Sequence, residues 1–308
     1  MRLLFAGLMA SLALTLAGYV AAGAAPRGEA LVLCGGGATG TAWETGILLG
    51  LQRAGLDPTT VDVVIGTSAG SIVGAQMRSG MPLEAMFAAQ KAAGNGLAAW
   101  AKNLDPAVLG VTSALYAHQP LTQAQRANVG AHALATQLPD EATWLQTFVP
   151  QSGIASITRW PAQPLKMVTV DASDGAIRVF DAQSGAPIQR AIAASAAVPS
   201  FTPPITIDGR RYIDGGVAGT NIGLAAGSLL ILAIVPHPAA LVASDVAALR
   251  AQGSTVVTIF PDDASVAAIG PNSLDASRKA VAADAGLSQG LALATTLRTT
   301  IHALHESH

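Results

Sequence analysis

The 308-residue chain predicts an α/β fold, a mostly parallel sheet with helices on both faces. Two observations carry that prediction. The strand candidates, such as ALVLC (30–34) and VDVVI (61–65), are largely apolar runs rather than clean alternations, as strands buried on both faces require. Each of the first two runs into glycines and then into a helical pattern, giving the order strand, helix, strand, helix. Composition agrees. Hydrophobic residues make up 51% and charged residues 12% of the chain, the latter well below the roughly 25% usual for soluble domains. One large domain over 29–308 accommodates such a core.

The elements follow in order. A strand is expected at 30–34, broken by Gly35–Gly37, and a helix over 41–54 ends at Gly55. The next strand, 61–65, leads to a helix over 69–78 with Gly80 just beyond, and another helix fits 82–91. From 94 to 160 the signal is mixed and suggests a helical insert. Strands are expected at 165–170 and 177–180 around Asp174-Gly175, then a small-residue helix over 188–197 stopped at Pro199. Asp208-Gly209 between 205–207 and 211–213 is a strong hairpin signal. Two more buried strands fit 229–235 and 255–260, and late helices fit 238–250 and 277–302.

The N-terminus reads differently from the rest. Arg2 is the only charged side chain before Arg27, and an apolar stretch ends in Ala22-Gly23-Ala24, an A-x-A-like cleavage signal. Residues 1–26 are therefore expected to be a signal peptide or an N-terminal membrane anchor, with the protein secreted or in the cell envelope; a cytoplasmic location is the alternative. No second span is expected. A net charge of −2 without a basic tract argues against nucleic-acid binding. The single cysteine, Cys34, rules out an intrachain disulfide and reads as a small buried hydrophobe. No calcium loop or zinc spacing occurs, so chemistry without a metal or other cofactor is expected.

Three stretches carry chemistry. In VVIGTSAG (63–70) a buried strand enters Gly-x-Ser-x-Gly and turns straight into a helix, which would expose Ser68 as a nucleophile. A helix N-cap or a phosphate-binding turn is the plainer reading. In CGGGATG (34–40) the triple glycine can turn several N–H groups toward one point, as an oxyanion hole needs. Gly35, Gly37 and Gly40 also fit a dinucleotide fingerprint, but that leaves the Ser68 turn unexplained, and no Walker lysine follows. For a base, the histidines at 118, 132, 237, 302, 305 and 308 lie in no short motif; only His237, after a strand, would suit a triad. Asp214 in YIDGG (212–216) is the better candidate, an acid at a strand end followed by two permissive glycines.

Together these stretches resemble the patatin-like phospholipases. The resemblance rests on GGGATG (35–40), GTSAG (66–70), ASAAVP (194–199) and DGG (214–216), four blocks in family order, with Asn221 following. It implies a three-layer α/β/α fold and a Ser68–Asp214 dyad, with Ser68 as nucleophile and Asp214 as proton acceptor. It also implies an oxyanion hole from the N–H groups of Gly35, Gly36 and Gly37, and membrane or micellar lipid as substrate. Ser195 would be structural. Thr39 is a departure, because many members carry Arg or Lys there; a loop anchor or a contact to an anionic head group is put in doubt. A short-chain esterase or thioesterase, and a non-catalytic lipid-binding protein, are the alternatives.

Overall fold

The computed structural model describes residues 27–92 and 120–306. The expected signal or anchor, the first part of the expected insert (93–119) and His118 lie outside them, as do the side chains of His305 and His308.

Among the described residues eight strands form one sheet: β1 Glu29–Leu33, β2 Val63–Thr67, β3 Leu165–Asp171, β4 Ile177–Phe180, β5 Ile205–Ile207, β6 Arg210–Asp214, β7 Leu230–Ile234 and β8 Thr255–Ile259. The order is β5-β6-β3-β2-β1-β7-β8, with β4 beside β3. The run β3-β2-β1-β7-β8 is parallel, and β4, β5 and β6 pair antiparallel. Among the described residues the α-helices are α1 Gly37–Arg53, α2 Ala69–Arg78, α3 Leu83–Lys91, α4 Gln123–Ala135, α5 Glu141–Gln151, α6 Ile188–Ser195, α7 Ala243–Ala251, α8 Asp263–Ile269 and α9 Lys279–Glu306.

Alternation along each strand divides the core. Leu31 and Leu33 face one helical layer, with Trp43, Ile47 and Leu48 of α1 and Ala294 of α9. Ala30, Val32 and Cys34 face the other, with Val246 and Leu249 of α7. The expected mostly parallel, three-layer α/β/α architecture is therefore the one observed. Both strand faces are covered, which is why the pattern reads as apolar runs.

Differences from the sequence expectation are local. Helix α1 starts four residues earlier than periodicity suggests, because the glycine block forms its first turn: Gly36 caps it, and the Gly40 N–H donates to the Gly36 carbonyl at 2.8 Å. Glycine shows no side-chain period, so pattern reading misses it. The late helix expected from 238 begins at Ala243, after a 3₁₀ turn that follows Pro238. Asp208 and Gly209 both take positive φ, the two-residue hairpin turn expected of that pair. Helix α8 had no sequence signal strong enough to place it. No helix of the described residues is long and apolar enough to cross a membrane.

The register of β3 matters most for the site. Met167 and Val168 pair with both β2 and β4, and Thr169 and Val170 pair with both β4 and β6. A strand has two edges, so β2 and β6 share one edge of β3, end to end. Thr67, the last residue of β2, pairs Val168, and Asp214, the last residue of β6, pairs Thr169. Because β2 runs parallel to β3 and β6 antiparallel, their C-terminal ends face each other.

Helix α1 is fixed from outside by α9, and the contact is backbone against backbone. A Cβ on Gly46 would stand 2.2 Å from the Ala283 carbonyl oxygen, and one on Gly286 would stand 2.2 Å from that of Trp43. Gly50 and Gly290 repeat the arrangement a turn further on. The Gln289 amide oxygen then accepts from the Trp43 indole at 3.1 Å and from the Ser265 hydroxyl at 2.8 Å. Gly46→Ala is expected to cost about 1–3 kcal/mol through overpacking, read from the urea midpoint; an unchanged midpoint would mean the helices can part without loss.

Candidate active site

Ser68 follows β2 directly and opens α2. Its φ of 53° and ψ of −117° lie outside the regions an L-residue prefers. The turn is possible because its flanks lack side chains: a Cβ on Gly66 would be 2.6 Å from Ser71 Cα, and one on Gly70 would be 2.1 Å from the Leu33 carbonyl oxygen. The Ser71 N–H and hydroxyl both donate to the Ser68 carbonyl, at 3.0 and 2.6 Å. That leaves the Ser68 N–H, which donates to the Ser195 hydroxyl oxygen at 3.0 Å.

Ser195 is the joint of the site. Its hydroxyl accepts from Ser68 and donates to the Val168 carbonyl of β3 at 2.7 Å. Two residues on, the Ala197 carbonyl accepts the Asp214 N–H at 2.9 Å. The ASAAVP block thus touches the ends of β2 and β6 and the middle of β3 at once. Its helix, α6, is braced from the other side: Arg190 pairs with Glu141 of α5, whose carboxylate also accepts from the Thr206 hydroxyl at 2.7 Å.

Asp214 is buried, and its Oδ1 accepts the Gly216 N–H at 2.7 Å. Gly215 must be glycine, since a Cβ there would meet the Val168 carbonyl oxygen at 2.2 Å. Asn221, at φ 59°, donates through Nδ2 to Thr67 Oγ1 (3.2 Å) and to the carbonyls of Gly215 (3.1 Å) and Gly219 (2.9 Å). One amide therefore ties the strand before Ser68 to the turn after Asp214.

The glycine block stands over the same point. Gly35 abuts the nucleophile candidate: a Cβ there would lie 3.2 Å from Ser68 Cβ and 3.8 Å from its Oγ. Gly36 packs beneath Pro236, and Gly37, at φ 62°, beneath the Ser273 carbonyl. The first turns of α1 and α2 begin beside Gly35 and Ser68, so two helix N-termini favour negative charge there. Thr39 turns out to be anchored: its N–H and hydroxyl donate to the Ser273 carbonyl at 3.0 and 3.2 Å. The loop anchor in doubt is thus supplied by a segment about 230 residues downstream.

The structure brings Ser68, Asp214 and the glycine block together at the C-terminal end of the parallel strands, where ligands of open α/β sheets bind. Residues 31–226 match the family model for patatin-like phospholipase. The chain belongs to the patatin-like phospholipase family. It is an enzyme of the lipid acyl hydrolase class. Among solved structures this patatin-like chain is similar to VipD from Legionella pneumophila, at 15% identity and a TM-score of 0.45, over 88% of this chain and 67% of that one. It is also similar to the type III effector protein ExoU, at 18% identity and a TM-score of 0.35, over 86% of this chain and 54% of that one. No curated protein matches it. The family match ends before β7, yet β7 and β8 continue the same sheet and α9 secures α1.

Sequence reading missed the bridging roles of Ser195 and Asn221 and the Thr39–Ser273 contact. The first two were visible as motif residues; nothing in the sequence around 273 marks it as a partner of residue 39. Glu44 of this patatin-like chain is also unexpected. It is wholly buried on α1, close to the Cys34 backbone, and burial pushes its carboxyl well above the ordinary range. Cys34 is raised too, by burial first and then by the nearby Glu44.

Two outcomes follow. Ser195→Ala leaves a buried N–H and a buried carbonyl without their shared partner and is expected to cost about 1–3 kcal/mol in denaturant unfolding. Burial raises the Glu44 carboxyl above its ordinary 4.5 in the folded protein only, so its contribution to stability is full below that pH and is lost as pH rises. Glu44→Gln removes this loss, and its stability relative to the wild type should climb by about 1.4 kcal/mol per pH unit above roughly pH 5. A constant offset between pH 5 and pH 8 would mean that Glu44 ionises in the folded protein.

Proposed function

We propose that the chain hydrolyses carboxylic ester bonds of phospholipids through a Ser68–Asp214 dyad and an acyl-enzyme. The observation that carries this reading is the meeting of β2 and β6 on one edge of β3, with Thr67 and Asp214 on successive rungs. Ser68 attacks the ester carbonyl as Asp214 takes its proton. Charge gathers on the carbonyl oxygen, and the N–H groups of Gly35, Gly36 and Gly37 stabilise it, aided by the two helix N-termini. The C–O bond to the alcohol then breaks, and the leaving oxygen takes the proton back from Asp214. Water, deprotonated by the same carboxylate, attacks the acyl-serine; the acyl C–O bond to Ser68 breaks, the serine oxygen takes the proton back from Asp214, and the fatty acid leaves. A carboxylate is a weak base toward a serine hydroxyl, so a preorganised oxyanion site must supply much of the rate. Residues 1–26 would deliver the enzyme to a cell envelope as signal or anchor, where lipid is at hand.

A second reading, hydrolysis of small neutral esters, is favoured by Thr39. Its side chain is committed to Ser273, so the glycine block offers no cation to a phosphate head group. Fatty-acid release from mixed phosphatidylcholine and phosphatidylglycerol vesicles, compared with hydrolysis of p-nitrophenyl esters of increasing chain length, separates the two. Ser68→Ala and Asp214→Asn should each lower kcat by at least about 10³-fold while leaving the fold intact. Turnover surviving in Ser68→Ala would end the nucleophile assignment, and turnover surviving in Asp214→Asn would end the dyad.

A further inference from the structure

His237 lies just beyond β7, part-buried, and Pro236 before it packs on the glycine block. A Cβ on Gly36 would stand 2.6 Å from Pro236 Cγ, and one on Gly40 would stand 3.6 Å from it. The His237 ring is hydrogen-bonded to the Gly35 backbone in a manner that favours the protonated ring, so the ring N–H donates and the Gly35 carbonyl accepts. Burial, the larger influence, lowers the ring's pKa below the ordinary histidine range.

The sheet order gives that contact a direction. Strand β1 lies between β2 and β7, so the chain leaving β1 has Ser68 on one side and His237 on the other. In a trans peptide the carbonyl and the following N–H point opposite ways. A Gly35 carbonyl held on the β7 side turns the Gly36 N–H to the β2 side, where Ser68 stands.

We propose that His237 is a positioning residue of the oxyanion site: it pins the Gly35 carbonyl away from Ser68 and so aims the Gly36 N–H at the oxygen of the tetrahedral intermediate. Two adjacent glycines make this peptide unit easy to rotate, and a rotated unit would set a carbonyl oxygen against the developing anion. The imidazole accepts no proton in this role, which separates it from the base of a Ser–Asp–His triad. The proposal rests on Ser68 being the nucleophile.

The test compares wild type with Ser68→Ala, His237→Ala and His237→Gln, measuring kcat and KM on p-nitrophenyl butyrate together with thermal melting. His237→Ala should lose roughly 10- to 100-fold in kcat with KM within about twofold, because the contact acts on the transition state. His237→Gln should recover most of the loss, since its amide N–H can donate although the group cannot serve as a base. If His237→Ala fails to fold, the Gln variant decides alone. Wild-type kcat in a folded His237→Ala overturns the proposal while leaving the dyad intact. A folded but inactive His237→Gln overturns it in favour of a general base. If wild type and Ser68→Ala hydrolyse the ester equally, the proposed function falls, and this inference with it.

Discussion

Two strands that end facing each other along one edge of β3 leave a gap in the hydrogen-bond ladder, and the protein closes that gap with two side chains and one backbone carbonyl. The Ser195 hydroxyl spans from the Ser68 N–H to the Val168 carbonyl, Asn221 spans from Thr67 to Gly215, and the Ala197 carbonyl takes the Asp214 N–H. Backbone groups buried at a strand end must find partners. Here those partners also set the separation of a serine and an aspartate that lie 146 positions apart in the sequence. Satisfying the ladder's ends and building the site are one structural act.

The cost of the arrangement is concentrated at Ser68. A non-glycine residue at φ 53° persists only if its surroundings over-determine it. They do: its N–H is tied to Ser195, its carbonyl takes two bonds from Ser71, and Gly66 and Gly70 clear the space on either side. Helix packing then holds the second half of the site. The glycine block is the first turn of α1, so whatever fixes α1 fixes the block. The Gly46/Gly50 and Gly286/Gly290 crossing brings α9 into backbone contact with α1, and Ser273, just ahead of α9, holds Thr39. The C-terminal quarter, beyond the family match, thereby supports residues at the start of it.

Electrostatics favour the same point from several directions. Helices α1 and α2 both start beside Ser68. The ionisable Cys34 and Glu44 are buried nearby, and burial raises both, which favours their neutral forms. An oxygen acquiring negative charge beside Ser68 would face the N-termini of both helices.

The fold class, the mostly parallel sheet and most strand positions were legible because buried strands and capped helices leave local marks: apolar runs, Asp-Gly at a hairpin, glycine after a helix. Ser68, Asp214 and Gly35–Gly37 stood out as candidates for a similar reason, since a strained turn between a strand and a helix admits few residue types. The start of α1 was not, because glycines carry no periodic signal. What joins the pieces was not legible either. That Ser195 should bond Ser68 across 127 positions, that Ser273 should anchor Thr39, and that His237 should meet Gly35 are consequences of which strands lie side by side. By itself the sequence determined the local conformations and the chemical types at the turns. Only the tertiary structure decided their partners, because a hydrogen bond between distant residues depends on strand order and register, which no local pattern encodes.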